Sequence, residues 1–233
     1  MKLVSFKICP FVQRIAALLE AKQIPYEIEY ISLKESPQWF LDISPNAQVP
    51  VLITDSGEAL FESEAIADYL DEIHSPMEVD LSPEQRAIDK AWAYQPSILY
   101  IPQCWSMQSE DEETLQARKQ ELDAVFGKVE AQLNGGPYYK GSELSNLDIA
   151  WLPVLHRAAI IEKHTGYDFM AGYPRLKSLQ NSLLDSGLAE KSVPEDFENV
   201  FTAFYLSDKT FLGRMRDLKI TPHSADLRAS MCG

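Results

Sequence analysis

The pattern that most restricts the fold lies in the first 31 residues, where two short alternating segments flank a stretch of helical spacing. Residues 2–6 read as a strand. Residues 10–21 place Phe11, Ile15, Leu18 and Leu19 on one helical face. Residues 26–31 then set Tyr26, Ile28 and Tyr30 against Glu27 and Glu29, the period of two that marks a second strand. Two strands separated by a helix pair in parallel, and such a crossover is right-handed. The next residues add a different unit. A short helix over 37–44 stops at Ser44-Pro45-Asn46. Two apolar runs, 49–54 and 59–61, flank Asp55-Ser56-Gly57-Glu58 and read as an antiparallel hairpin. A helix over 63–73 follows, with Ile66, Tyr69 and Leu70 on one face. The order βαβ then ββα predicts a small mixed sheet flanked by helices.

Beyond residue 83 the strand signal fades. Residues 87–107, 113–133, 148–163, 174–186 and 194–206 all read as helices, so the expected fold is α/β followed by all-α. Residues 74–83 hold Pro76 and Pro83 and show no periodicity. The expected division is a first domain over 1–75, a linker over 76–83 and a helical domain over 84–233. One helix start is marked: Ser145-Asn146-Leu147-Asp148 reads as a capping box with Asp in place of Glu, and Leu144 and Ile149 stand at the staple positions. The tail, 209–233, is polar and weakly periodic, and predicts no element.

Composition narrows the function classes. The 233 residues are 45% hydrophobic and 24% charged, as in an ordinary globular protein. A formal net charge of −14 argues against non-specific nucleic-acid binding, which needs Lys and Arg to neutralise phosphates. No apolar run approaches the length of a membrane span, and no secretory signal is visible. Cys9, Cys104 and Cys232 form no CxxC and no metal-ligand spacing, which suits free thiols in the cytoplasm. His74, His156, His164 and His223 show no ligand spacing either, so no metal is expected.

Three places carry chemistry. Cys9 follows the first strand where a helix begins, and Pro10 suits the first helical turn because its missing N–H costs nothing there. Free amides and the positive helix end would lower the pKa of a thiol in that position. Taken alone, Cys9 reads equally as a small buried apolar residue. Val12 stands where a second cysteine would close a dithiol loop, so a redox cycle needs a thiol from elsewhere. Val49-Pro50 opens a strand. It is compatible with a cis bond, which would turn the Val49 backbone toward an extended ligand, although trans is the commoner state of such bonds. Glu62-Ser63 lies where a strand hands over to a helix. Helix amides there could hold a carboxylate and Glu62 could meet an amine, or Ser63 could simply cap the helix.

Together these residues resemble the cytosolic glutathione transferases, in particular the omega-like class with its Cys-Pro-Phe motif. The resemblance rests on Cys9-Pro10-Phe11 with Arg14, on Pro37-Gln38-Trp39-Phe40, on the run Asn46 to Leu52, on Glu62 to Ile66 with Tyr69-Leu70, and on Ser145 to Asp148. It covers roughly residues 1 to 205, and it is more specific in the first domain. It implies a thioredoxin-like glutathione-binding domain and a helical domain carrying the acceptor site. Cys9 would be catalytic, with Phe11 and Leu33 near the thiol. Val49 with cis Pro50 would pair with the cysteinyl part of glutathione, and Glu62 and Ser63 would hold its γ-glutamyl end. Trp92, Tyr94 and Ile98 are the candidate acceptor residues, and core packing accounts for them equally well. Ser36 departs from the pattern, since omega-like proteins often place a lysine there for the glycyl carboxylate.

The implied activity is thiol transfer or reduction through a mixed disulfide between Cys9 and glutathione, with dehydroascorbate reduction as a variant. Glutathione is then a co-substrate, the other substrate is a small electrophile or disulfide, and the protein is a homodimer. Two alternatives use the same residues differently. One is removal of glutathione from a glutathionyl quinone. The other is a non-catalytic binding module resembling the stringent starvation protein.

Overall fold

The computed structural model of the chain describes residues 1–74, 76–78 and 80–220. The first strand, β1 (Lys2–Ser5), leads into helix α1 (Pro10–Ala21) and then β2 (Glu27–Tyr30). Helix α2 (Gln38–Ile43), strands β3 (Val51–Ile53) and β4 (Ala59–Phe61) and helix α3 (Ser63–Ile73) complete the unit. The sheet order is β2-β1-β3-β4. As the alternation required, β1 and β2 are parallel, pairing Leu3 with Ile28. The other two pairings are antiparallel, with Leu3 opposite Leu52 and Leu52 opposite Leu60.

Leu3, Val4, Val51 and Leu52 are fully buried, neighbours along each strand on opposite faces of the sheet, and Ile15, Leu18 and Leu19 of α1 with Ile66 and Leu70 of α3 belong to the same core. These helices run along the sheet with their N-terminal ends on the side where β1 ends. The spacing that predicted α1 therefore also places Cys9 at one end of the sheet.

The rest is helical: α4 (Pro83–Met107), α5 (Glu112–Gln132), α6 (Asn146–Thr165), α7 (Pro174–Asp185), α8 (Leu188–Lys191), α9 (Phe197–Tyr205) and α10 (Phe211–Ile220). Helix α6 is buried at nearly every position, from Leu147 to Ile161, which is how a helix at the centre of a bundle reads. It packs against α4, α7 and α10, and it also packs against α1 of the first unit. Its start is the capping box. Asp148 Oδ2 accepts from the Ser145 amide at 2.8 Å and from the Ser145 hydroxyl at 2.6 Å. Its Oδ1 accepts from the Tyr139 amide at 2.6 Å, so Asp148 also pins the preceding loop. Ile149 is fully buried and Leu144 packs half-buried against the same core.

Three elements differ from expectation. Helix α4 begins at Pro83, not at residue 87, because Ser82 caps it, accepting from the Gln85 amide at 3.1 Å, and Pro83 takes the first helical position. Helix α8 is a single turn after Gly187, too short for a periodic signal. Helix α10 occupies part of the tail that predicted nothing. Thr210 starts it, its hydroxyl accepting from the Gly213 amide at 3.0 Å, and Leu212 buries itself against the bundle. Gly213 is there by necessity, since a Cβ would run into the Ser207 carbonyl. The tail from 221 onward, with Cys232 and His223, lies outside the described residues.

Candidate functional site

Cys9 is the N-cap residue of α1, and its own amide donates to the Phe6 carbonyl at 3.0 Å. No side chain caps this helix, so the amides of its first turn face the sulfur. The loop is held from three sides. The Phe11 ring meets Tyr100 of α4 edge-on at 5.0 Å between centroids. Lys7 pairs with Asp196 at 2.6 Å. Arg157 of α6 donates to the Ile8 carbonyl at 3.1 Å. The turn that carries the thiol is therefore clamped between the sheet unit and the helical domain.

Across from the sulfur, the Val49-Pro50 bond is cis, and the Val49 carbonyl oxygen lies 4.0 Å from Cys9 Sγ. The segment leading to it is braced by Ser44, whose hydroxyl donates to the Gln48 carbonyl at 2.9 Å and accepts from the Gln48 amide at 3.0 Å. At the third corner, α3 begins with Ser63 as its first helical residue and Glu62 as its N-cap. Capping of the helix by Ser63, one of the two sequence readings, therefore fails: Ser63 lies one position too late, and no side chain caps α3 at all. Glu62 sits at φ 67, in the left-handed region that non-glycine residues avoid, and so does nearby Ala47 at φ 50. Asn46 Nδ2 reaches the Glu62 carboxylate at 3.1 Å. Two strained residues and an uncapped helix end, brought together around one space, mark a site shaped for a ligand.

That space is a cavity of about 400 Å³, within the usual range for small-molecule sites. Cys9, Phe11, Leu33, Val49, Pro50, Glu62 and Ser63 all line it, so the sequence brought forward residues that the fold gathers in one place. Ser44, Asn46, Ala47, Gln48, Phe61 and Ile101 line it too. Asn46 and Gln48 were within reach of sequence reasoning as neighbours of Val49. Phe61 and Ile101 carried no signal, because only the tertiary fold turns them inward. Ser36 does not reach the cavity: it turns to the Leu33 carbonyl, and no lysine or arginine is among the lining residues.

The three candidate acceptor residues lie elsewhere on α4. Trp92 packs on Tyr139, with ring centroids 6.5 Å apart. Tyr94 borders a separate shallow groove with Arg14 and Glu64, and Ile98 is exposed. Ile101, nearly one turn further along than Ile98, is the α4 residue that faces the cavity.

The electrostatics of Cys9 are not those of a simple helix start. The Val12 and Phe11 amides and the charge of Arg157 all favour the thiolate, yet burial outweighs them and pushes the thiol up to about 11. The sequence expectation of a lowered pKa weighed the helix start and not the desolvation of a thiol packed half-buried against the core. Cys104 of α4 stands near enough to Cys9 to raise it further, and it accepts a hydrogen bond from the Tyr205 hydroxyl at 3.1 Å.

Among the described residues, no group of His, Cys, Asp and Glu side chains could hold a metal ion, and no helix is long and apolar enough to cross a membrane.

Comparison with known proteins gives a consistent result. Residues 3–78 match the family model described as glutathione S-transferase, N-terminal domain, and residues 103–193 match its C-terminal domain. The chain is 31% identical to glutathione S-transferase omega-1 of Sus scrofa over 176 residues, covering 74% of this chain and 72% of the relative. It is 28% identical to glutathione S-transferase DHAR2 of Arabidopsis thaliana over 158 residues, covering 67% and 70%. Among solved structures, glutathione transferase Omega 3C from Trametes versicolor superimposes with a TM-score of 0.71 at 25% identity, covering 83% of this chain and 89% of the other.

Proposed function

The chain is an enzyme of the glutathione S-transferase family, of its omega-like kind, and from that premise we propose that it acts as a glutathione-dependent thiol transferase and reductase with Cys9 as its single catalytic cysteine. The observation that carries the reading is the opening of Cys9 onto the same cavity as Val49, Pro50, Glu62 and Ser63. A tyrosine or serine at the helix start could only stabilise a bound glutathione thiolate. A cysteine can become covalently linked to it.

In this reading glutathione lies extended across the cavity and pairs with the Val49 backbone as an added strand. Its γ-glutamyl carboxylate meets the uncapped amides of α3 and the Ser63 hydroxyl, and its amine meets the Glu62 carboxylate. With no basic side chain on the cavity wall, the glycyl carboxylate is left to the amide groups of Asn46 and Gln48 and to solvent. Phe11 and Leu33 shield the sulfur end from water.

The cycle has two exchanges. The Cys9 thiolate attacks the glutathione sulfur of a mixed disulfide, the S–S bond breaks, and the released thiolate takes up a proton. A second glutathione thiolate then attacks the glutathione sulfur bound to Cys9, forming oxidised glutathione and restoring Cys9. Dehydroascorbate enters the same cycle as the oxidant, gaining the two electrons and two protons that two glutathiones give up. The DHAR-named relative supports this variant. The division at 1–75 and 84–233 with its linker at 76–83, the homodimer and a cytoplasmic setting belong to the same reading.

The test is an exchange assay with hydroxyethyl disulfide and glutathione, run beside one with dehydroascorbate. Cys9→Ser is expected to abolish turnover in both. Undiminished turnover in that variant overturns the mechanism.

A further inference from the structure

Among the described residues two arginines are almost completely buried, and they are treated in opposite ways. Arg14 holds Glu64 with two parallel hydrogen bonds, at 3.1 and 3.0 Å, so its charge is matched. Arg157, with no exposed surface at all, meets no carboxylate among the described residues. Its partners are neutral: the Gln13 side-chain oxygen, the Pro153 carbonyl at 3.0 Å and the Ile8 carbonyl at 3.1 Å. Its Nε finds no acceptor, and its guanidinium lies 5.5 Å from the centroid of the Phe197 ring.

A guanidinium does not shed its proton, so this is a buried positive charge with no counter-ion, eased only by the face of the Phe197 ring, and it is costly to keep. Holding two carbonyls and an amide needs only a neutral donor. The charge itself is surplus to any structural task visible around it. What surrounds it are weak acids that can become anions: Cys104 and Tyr100 from α4, Tyr205 from α9, and Cys9 from the start of α1. The carbonyl it grips belongs to the residue immediately before Cys9.

We propose that Arg157 is the counter-charge of the catalytic site, a cation left without a carboxylate so that the Cys9 thiolate becomes its partner. The inference rests on the reading of Cys9 as the nucleophile. Ionisation sends the Cys9 proton to water, and the pair that remains inside is thiolate and guanidinium. Arg157 acts through Cys9 and is a positioning residue: the same fork that supplies the charge fixes the Ile8-Cys9 turn. Other charged or titratable groups facing this space are few. His156 of α6 stays neutral beside Arg157, and the Arg14–Glu64 pair lies behind Tyr100. Cys104 and Tyr205 share one hydrogen bond, and neither supplies a cation.

The test is the pH dependence of Cys9 alkylation by iodoacetamide, read at the Cys9 peptide by mass spectrometry, so that neither turnover nor Cys104 enters the measurement. Arg157→Met is expected to raise the midpoint by about one unit or more, about tenfold less thiolate at a fixed pH below it. Gln13→Glu keeps an acceptor for Arg157 but neutralises it, and is expected to raise the midpoint in the same direction. Arg157→Lys, which keeps the charge and loses the fork, is expected to stay nearer the unmodified protein than Arg157→Met. An unchanged midpoint in either Arg157→Met or Gln13→Glu overturns the proposal, and so does an equal shift in the Met and Lys variants. A Cys9 that resists alkylation at every pH in the unmodified protein overturns the underlying reading of the nucleophile instead.

Discussion

Beside Arg157 lies a histidine whose protonation the fold forbids, and the consequence for stability can be worked out. His156 is almost fully buried, stacked on Phe197 with ring centroids 5.3 Å apart. The Gln13 side-chain oxygen accepts from Arg157, which leaves its NH2 to face His156 Nδ1 at 2.8 Å. Nδ1 must therefore accept. A proton there would set donor against donor, next to a guanidinium, in a buried space. Burial first, and then Arg157, push His156 down to about 3.

In the unfolded chain the same imidazole titrates near 6.5. Between about pH 6.5 and about pH 3 the unfolded state binds a proton that the folded state refuses, so stability falls as pH falls through that window. Each unit below 6.5 costs about 1.4 kcal/mol, and the loss between about pH 7 and about pH 5 comes to about 2 kcal/mol. With a urea slope of roughly 3 kcal/mol per molar for a chain of this size, the midpoint moves by about 0.7 M. The assay is urea unfolding of the protein and of His156→Gln at both pH values. The variant loses the stacking at every pH, so only the difference between the two pH values counts. It is expected to be smaller in the variant by about 2 kcal/mol. An acid loss as large in His156→Gln as in the unmodified protein refutes the reasoning.

Asp148→Ala removes the acceptor of the Ser145 amide, the Ser145 hydroxyl and the Tyr139 amide, and should lower stability by about 2–4 kcal/mol in the same urea assay. Ser63→Ala should raise KM for glutathione by roughly tenfold with little change in kcat, since the hydroxyl is assigned to binding glutathione before and during reaction alike. Gly213→Ala should force α10 away from the 207 loop, costing about 1–3 kcal/mol and opening α10 itself to limited proteolysis.

The first unit was legible because its signals are local. Alternation over 26–31, helical spacing over 10–21 and a glycine turn between two apolar runs each specify an element without reference to the rest of the chain. The parallel pairing of Leu3 with Ile28 then follows from chain connectivity. The site was legible to the extent that its residues sit at element junctions: Cys9 before α1, Val49-Pro50 before β3, Glu62 before α3. What could not be read is what depends on the second domain closing over the first. Ile101 faces the cavity and Trp92 does not because of how α4 is rotated, and a helix exposed at Tyr94, Ile98 and Ile101 shows little periodic contrast by which that rotation could be foreseen. The raised thiol was out of reach for a similar reason, since the helix start is visible in the sequence while the desolvation of the sulfur in the folded protein is not. Arg157 carries no signal in the sequence, and only its burial and its missing carboxylate single it out.

The central claim is that Cys9 forms a reversible disulfide with glutathione, and the most direct measurement is the site and fate of the adduct. The protein is incubated with oxidised glutathione, digested without reduction and mapped by mass spectrometry. The account predicts a glutathione adduct on the Cys9 peptide, lost on adding excess reduced glutathione, with Cys104 and Cys232 modified far less. A Cys9 that stays free while another cysteine takes up glutathione contradicts it.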